Sequence, residues 1–242
     1  ANAGKDKAAK PATGPRAELV DFVNNVVTPV SKMDGDSLPV SAFMPYADGT
    51  FPQGSTAYEK RGVAVYVPTW NPDKCIQCNN CSFVCPHAAI RPYALDAEEA
   101  ANAPESTKFT AKMIGKGCEG YKFTVAVSPL DCMGCTLCVK ACPVTAKAEK
   151  DGTPEKKAIE MVSQESQKAQ QIPFNWCVEN VSEKKELFNA KTIKGSQFKQ
   201  PLLEFSGSCA GCAETSYARL ITQLFGERMY ISNATGCSSI WG

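Results

Sequence analysis

One stretch decides the fold of this chain: Cys75-Ile-Gln-Cys78-Asn-Asn-Cys81-Ser-Phe-Val-Cys85-Pro86. Its spacing, C-x2-C-x2-C-x3-C-P, occurs again as Cys132-Met-Gly-Cys135-Thr-Leu-Cys138-Val-Lys-Ala-Cys142-Pro143. In each run, three thiols sit close together on a short loop, and a fourth follows just before a proline. The proline turns the chain away where its missing N–H costs least. The repeat indicates two sites of one kind.

This doubled run resembles that of bacterial two-cluster ferredoxins, which bind two [4Fe–4S] clusters and exchange the fourth ligand between the runs. Three thiolates on one loop reach three irons of a cube, and the fourth iron lies on the far side, beyond that loop. The spacing therefore predicts ligand sets that cross between the runs. The first cluster takes Cys75, Cys78, Cys81 and Cys142, and the second takes Cys132, Cys135, Cys138 and Cys85.

The composition disfavours the other uses of clustered cysteines. The 242 residues include thirteen cysteines, an odd number, so complete disulfide pairing is impossible. A zinc site would leave the third cysteine of each run unused, and a single histidine, His87, excludes histidine-rich metal sites. The lack of an export signal favours a cytoplasmic location. A net charge of +1 and no long apolar run argue against nucleic acid and membrane partners.

The residues before the cysteine runs are predicted to form a linker, a helix, extended segments and a strand before each run. Residues 1–16 are predicted to form a linker, and residues 17–30 a helix that ends at Thr28-Pro29, because the residue before proline avoids the α region. The Pro-, Gly- and Ser-rich residues 38–58 favour extended segments. Alternating valines over 63–67 and the residues Phe123, Val125 and Val127 predict a strand before each run.

The segments after the runs are predicted to be mostly helical. Residues 154–171, 176–188 and 213–225 place apolar side chains at helical spacing, and Gly226 stands at the last helix's C-cap. Residues 229–231 predict a short strand, so that helix, strand and glycine loop open an α/β domain.

A smaller cysteine set lies near the C-terminus, in Cys209-Ala-Gly-Cys212 and at Cys237. One C-x2-C pair is also found in redox dithiols and in half of a zinc site, so its spacing alone leaves the role open. Three thiols would leave a cluster one ligand short. Cys118 or Cys177 would complete the set, but isolated cysteines are more typical of buried structural thiols.

Several further motifs give the chain a resemblance to single-chain pyruvate:ferredoxin (or flavodoxin) oxidoreductases over nearly its whole length. The last two motifs are the most specific, because any two-cluster ferredoxin shares the double cysteine run. The motifs are Leu38-Pro-Val-Ser-Ala-Phe43, Asp48-Gly-Thr-Phe-Pro52, Tyr58-Glu-Lys-Arg61, residues 71–92, Val127-Ser-Pro-Leu-Asp-Cys132, Gly207-Ser-Cys-Ala-Gly-Cys-Ala-Glu214 and Asn233-Ala-Thr-Gly-Cys-Ser-Ser239.

The resemblance implies an internal segment of a longer enzyme, with an α+β architecture. A connector (1–56) would precede a bacterial 2[4Fe–4S] ferredoxin-like domain with insertions (57–180), then a helical connector and the opening of an α/β thiamine-diphosphate domain (181–242). It implies that Cys209, Cys212 and Cys237 hold a third, proximal [4Fe–4S] cluster, with its fourth ligand outside this chain. Glu214 and Cys237 would lie against thiamine diphosphate.

The implied function is electron relay from a thiamine-bound intermediate, through three clusters, to an external ferredoxin or flavodoxin. The motif for Mg²⁺ and diphosphate is absent from these residues, as are the segments that contact pyruvate and coenzyme A, so no catalytic residue is assigned. The expected partners are the rest of the same enzyme, the acceptor and a second copy in a dimer. The alternatives are a free-standing two-cluster carrier and the relay of another 2-oxoacid oxidoreductase.

Overall fold

The computed structural model describes residues 16–144 and 157–241, which divide into two compact units between Gly62 and Val63. The predicted linker up to residue 15 lies outside the described residues. Within the described part of the chain, no helix has the length and apolarity needed to span a bilayer.

The first unit is built on one irregular helix. Helix α1 (Ala17–Phe22) passes through a π turn (Val23–Val27) into α2 (Thr28–Ser31). The prediction that Pro29 ends this helix is therefore wrong. The π turn, in which the Thr28 N–H donates to the Val23 carbonyl, gives the proline ring room that a regular α turn would deny it.

Short 3₁₀ helices complete the first unit, at Gly35–Ser37, Val40–Tyr46 and Ser55–Tyr58. They replace much of the extended chain predicted for residues 38–58. The ring of Phe22 packs edge-on against Tyr46 at 4.8 Å and stacks with Phe51 at 5.3 Å, which fixes these turns against the helix.

The second unit contains two antiparallel strand pairs that interleave the two cysteine runs. Strand β1 (Tyr66–Trp70) precedes the first run and pairs with β4 (Ile159–Ser163), which follows the second. Strand β2 (Ile90–Leu95) follows the first run and pairs with β3 (Lys122–Val127), which precedes the second. This arrangement brings the two halves side by side.

Short helices follow the loops that carry the cysteines: α3 (Asn80–Phe83) in the first run and α5 (Leu137–Ala141) in the second. The insertion between β2 and β3 begins with α4 (Ala97–Asn102). After β4 come a 3₁₀ segment (Gln164–Gln170), α6 (Gln171–Asn180), α7 (Ile193–Ser196), α8 (Ala213–Phe225) and α9 (Ser238–Trp241).

The core of the second unit forms where the strand pairs meet. Phe123 is fully buried and contacts Trp70 and Phe198 edge-on, at 6.1 and 6.2 Å between ring centroids. Phe198 stacks in turn on Phe188 at 4.7 Å. The segment after α6 is thereby held against the cysteine-bearing module by aromatic packing.

The predicted helix over residues 154–171 is wrong. Of the residues described, 159–163 form β4 and 164–170 a 3₁₀ segment; residues 154–156 lie outside the described part. Pairing with β1 provides backbone hydrogen bonds along one edge of β4, and Ile159 is buried, at 3% exposed. β-Branched residues pack better in a half-buried strand such as this one than in a helix.

The C-terminal predictions had mixed outcomes. Helix α8 has the predicted bounds, whereas α6 begins and ends earlier than predicted. Gly226 follows α8 with an ordinary right-handed backbone, and its lack of a side chain leaves space that Leu202 occupies. The strand predicted at 229–231 is wrong: that segment pairs with no strand of the described residues, and Tyr230 is fully exposed.

Candidate iron–sulfur centres

The first centre is a cavity whose thiols come from both cysteine runs. Four thiols line it together with apolar side chains that include Val125 and Ile159, and the empty space within it is about 320 Å³, part of it open to solvent. The four thiols belong to Cys75, Cys78, Cys81 and Cys142.

The second centre is a similar cavity with the complementary thiols. Its empty space is about 390 Å³, and its wall includes Ile90, Leu137 and the buried His87. Its thiols belong to Cys85, Cys132, Cys135 and Cys138. The structure thus brings together each of the two crossed sets that the spacing predicts.

The loops of the two centres share an unusual backbone. Gln77 and Asn79 in the first run have φ of +57° and +63°, and Gly134 and Thr136, at the matching places of the second, have +70° and +68°. The N–H groups of Gln77 and Gly134 each point at the first thiol of their run, with 3.4 Å from N to Sγ. Such donors stabilise negative charge on sulfur.

Different residues occupy the matching positions 77 and 134 because their surroundings differ. A Cβ on Gly134 would lie 3.1 Å from the Tyr66 carbonyl oxygen, so this position needs glycine for space as well as for φ. Gln77, which is 2% exposed, donates to the Lys112 carbonyl at 2.7 Å and accepts from the Ile114 N–H at 2.8 Å. It therefore anchors the insertion to the first centre.

The chemistry of the donor sets fits iron–sulfur clusters. Burial raises the pKa of Cys132 to about 12 and that of Cys81 and Cys138 well above the ordinary range. The nearby thiols raise these pKa values further, so the free groups keep their protons at neutral pH. Because clusters bind thiolates, cluster binding would release these protons, and the inward N–H donors would then face thiolate sulfur. These residues would hold one cluster at each centre.

The third cysteine set is only partly assembled. The Cys212 N–H donates to the Cys209 carbonyl at 3.1 Å, and Cys212 directly precedes α8. Backbone hydrogen bonding from Thr215 lowers the pKa of Cys212, which favours its thiolate. Cys237 and Glu214 are exposed. Among the described residues, no three His, Cys, Asp or Glu side chains converge closely enough to hold a single metal ion.

The Cys209–Cys212 turn lies against the second centre. Gly211 has φ +76°, and a Cβ built there would be 3.7 Å from the Cys135 Cβ and 3.8 Å from the Leu137 Cδ1. A group held by this turn would therefore be a neighbour of the second centre.

Cys118 and Cys177 are 2% and 0% exposed, as expected for structural thiols. Burial raises the pKa of both, and Cys118 packs within the core around Phe123.

Two buried arginines, Arg91 and Arg219, were not predicted from the sequence. Arg91 bonds the Ala88 carbonyl at 2.7 Å and Glu204, and lies 5.3 and 5.2 Å from the ring centroids of Phe174 and Phe205. It fastens the segment before Cys209 to β2. Arg219, on α8, is the other. Neither has a sequence signal, because burial of a charged side chain depends on partners distant in the chain.

Family comparison defines the class of protein first. Residues 74–146 match the model of the 4Fe-4S dicluster domain, and residues 7–64 match the EKR domain, described as a domain of unknown function. The second unit of this chain therefore carries a 4Fe–4S dicluster domain.

Three relatives match nearly the whole of this chain at about half identity. Pyruvate:ferredoxin oxidoreductase of Moorella thermoacetica is 52% identical over 98% of this chain and 19% of the relative. Pyruvate-flavodoxin oxidoreductase of Klebsiella pneumoniae is 48% identical over 96% of the chain and 19% of the relative. Pyruvate dehydrogenase [NADP(+)] of Cryptosporidium parvum is 48% identical over 94% of the chain and 11% of the relative. This chain is homologous to a segment of the pyruvate:ferredoxin and pyruvate-flavodoxin oxidoreductases and spans about a fifth of their length.

Proposed function

We propose that this chain is the electron-relay segment of a pyruvate oxidoreductase. The whole enzyme would convert pyruvate, coenzyme A and oxidised ferredoxin into acetyl-CoA, CO2 and reduced ferredoxin. The observation that carries the proposal is that the Cys209–Cys212 turn lies beside the second centre, which shares one compact unit with the first. A free-standing two-cluster carrier would have no use for the third set.

The ligand assignments follow from the two cavities. Cys75, Cys78, Cys81 and Cys142 would hold one [4Fe–4S] cluster at the first centre, and Cys85, Cys132, Cys135 and Cys138 another at the second. Each cluster, when bound, exchanges one electron at a time.

The residues of this chain supply the setting for that chemistry. Apolar side chains line much of both centres, and the N–H groups of Gln77 and Gly134 face sulfur at the places where negative charge would collect. The Cys209–Cys212 turn would bring the proximal cluster next to the second centre, so that electrons leave by way of the ferredoxin-like module.

The finer parts of the proposal concern the rest of the enzyme. Cys209, Cys212 and Cys237 would share the proximal cluster with a ligand from outside this chain, and Glu214 and Cys237 would face thiamine diphosphate in a domain that opens after residue 180. Thiamine diphosphate with Mg²⁺ and the coenzyme A co-substrate would bind mainly outside these residues. We further propose a cytoplasmic homodimer.

The names of the relatives bear on substrate and acceptor. All three relatives are named for pyruvate, whereas ferredoxin, flavodoxin and NADP(+) vary among them. We therefore assign pyruvate as the oxoacid and an external ferredoxin or flavodoxin as the acceptor.

The test uses the full-length protein, purified without oxygen. We expect about twelve irons per chain, against about eight if only the two ferredoxin-like centres are filled. Pyruvate with coenzyme A should bleach the visible iron–sulfur absorbance, and 2-oxoglutarate should not. A protein with full iron that pyruvate fails to reduce, while dithionite reduces it, would refute the proposal.

A further inference from the structure

Helix α8 turns its polar face to the interior of the second unit. Its buried residues are Thr215, Arg219, Thr222 and Gln223, whereas Tyr217 and Phe225 are 67% and 53% exposed. A helix normally buries its apolar stripe. The polar face that α8 buries in this structure is centred on Arg219.

Arg219 is 1% exposed, and all of its N–H groups are directed at acceptors. Nε donates to the Cys85 carbonyl at 2.9 Å, and Nη2 donates to the carbonyls of Ser82 at 3.1 Å and Phe83 at 2.7 Å. Nη1 donates to the side-chain oxygens of Gln197 at 2.9 Å and Gln223 at 2.6 Å. The guanidinium thus closes the carboxyl end of α3 and holds the backbone of Cys85.

None of these five acceptors is a carboxylate. A buried cation that lacks an anionic partner is destabilising, and the oxygens of carbonyls and amides offset only part of that effect. An arginine guanidinium keeps its proton at neutral pH, so Arg219 is a buried cation. Two ionisable side chains interact electrostatically with Arg219, the cationic Arg91 and the thiol of Cys85. Cys85 is a predicted ligand of the second centre, where bound thiolates would carry negative charge.

We propose that Arg219 is a positioning residue of the second centre, where its buried charge raises the reduction potential and its fork of N–H donors fixes Cys85. The inference rests on the proposed function, because it requires a cluster at Cys85, Cys132, Cys135 and Cys138. One-electron reduction adds a negative charge to the site, and a fixed cation beside Cys85 favours the reduced form. The same residue joins α8, which follows Cys212, to the centre that would receive electrons from the third set.

The experiment is a redox titration of the full-length holoprotein, with dithionite as reductant and electron paramagnetic resonance as the readout. The signal of the second centre is identified as the one lost in Cys138→Ser. Arg219→Gln removes the charge, and Gln197→Glu neutralises it in place while keeping the guanidinium and its other contacts. Arg228→Gln removes an exposed cation just beyond α8 and is the matched control.

We expect Arg219→Gln and Gln197→Glu each to lower the potential of the second centre. The ratio of reduced to oxidised centre at a fixed solution potential should fall at least about tenfold, or about 59 mV for a one-electron couple. Arg219→Lys should recover part of the shift, and Arg228→Gln should leave the potential unchanged.

Unchanged potentials in both charge-altering variants would overturn the inference. If Arg219→Gln fails to retain iron, Gln197→Glu decides alone: a lowered potential supports the role of the charge, and an unchanged one rejects it. The titration requires neither pyruvate nor coenzyme A. An unshifted potential in an enzyme that pyruvate still reduces would therefore reject the role of Arg219 and leave the proposed function standing.

Discussion

Replacing Gly134 by alanine tests how closely the polypeptide backbone must approach the second centre. Gly134 has φ +70°, and its N–H faces the Cys132 sulfur at 3.4 Å. An added Cβ would lie 3.1 Å from the Tyr66 carbonyl oxygen and 3.3 Å from the Ala64 Cβ. Strand β1 begins at Tyr66, so relief of this contact would move either the strand or the cysteine loop.

The expected cost has two parts. Holding alanine in a left-handed conformation costs about 1–2 kcal/mol, and the reduced freedom of the unfolded chain returns about 0.4–1 kcal/mol of that. Overpacking against backbone adds about 1–3 kcal/mol. We therefore expect Gly134→Ala to destabilise the protein by about 2–3 kcal/mol.

Gly117→Ala is the control that separates the two parts. Gly117 has φ +77°, but nothing lies within 4 Å of the Cβ position, so only the conformational part applies. We expect a loss of about 1 kcal/mol there. The assay follows the loss of iron–sulfur absorbance with increasing denaturant, together with the iron content of each purified variant.

The iron content of the two variants tests whether close approach of the backbone at Gly134 matters beyond its backbone angle. Gly134→Ala should lose iron from the second centre, because displacement of its N–H removes a donor to sulfur, whereas Gly117→Ala should keep all of its iron. Equal destabilisation of the two variants, with full iron in both, would refute the reasoning that close approach at Gly134 matters beyond its backbone angle.

Three further predictions follow from the contacts of single side chains. Cys85→Ser should remove the signal of the second centre and Cys142→Ser that of the first, as seen by electron paramagnetic resonance; the reverse pattern would contradict the crossed ligand sets. Cys118→Ala should leave the iron content unchanged and cost about 1 kcal/mol in a denaturant titration, and a loss of iron would instead make Cys118 a ligand. Burial is the largest single influence on Glu99 and opposes its ionisation, but the hydrogen bonds from Lys184 at 2.7 Å and from Ser182 together outweigh burial and hold the pKa of Glu99 below 4.5. The stabilising effect of ionised Glu99 is present above that pH and is lost as the pH falls through the lowered pKa. Glu99→Gln should therefore weaken the pH dependence of the free energy of unfolding below pH 4.5. An unchanged pH dependence in that range would exclude this contribution.

The two groups of four thiols that line the cavities can be predicted from the sequence because the cysteine spacing is a local property. Both the loops and the crossed cavities follow from it, since a cube needs a ligand that its own loop cannot supply. The strand at Phe123 was also predicted, because the alternation of apolar side chains along one segment indicates a strand and its buried face.

Long-range pairing explains where prediction from the sequence failed. The apolar residues of 159–163 fit a helix when taken alone, and only the presence of β1 beside them makes a strand the better solution. Arg219 is the extreme case. Its role depends on carbonyls more than a hundred residues away, and no pattern within α8 distinguishes it from an exposed arginine.

The interleaved strands also constrain the order of events during synthesis. As the chain leaves the ribosome, the first cysteine run emerges well before Cys142, and β1 waits still longer for β4. Neither cavity has its full wall until both halves exist. Neither half could bind a cluster alone, so cluster insertion would have to follow translation of the whole module. A chain stalled between the two runs would expose cysteine thiols that have no complete cluster site.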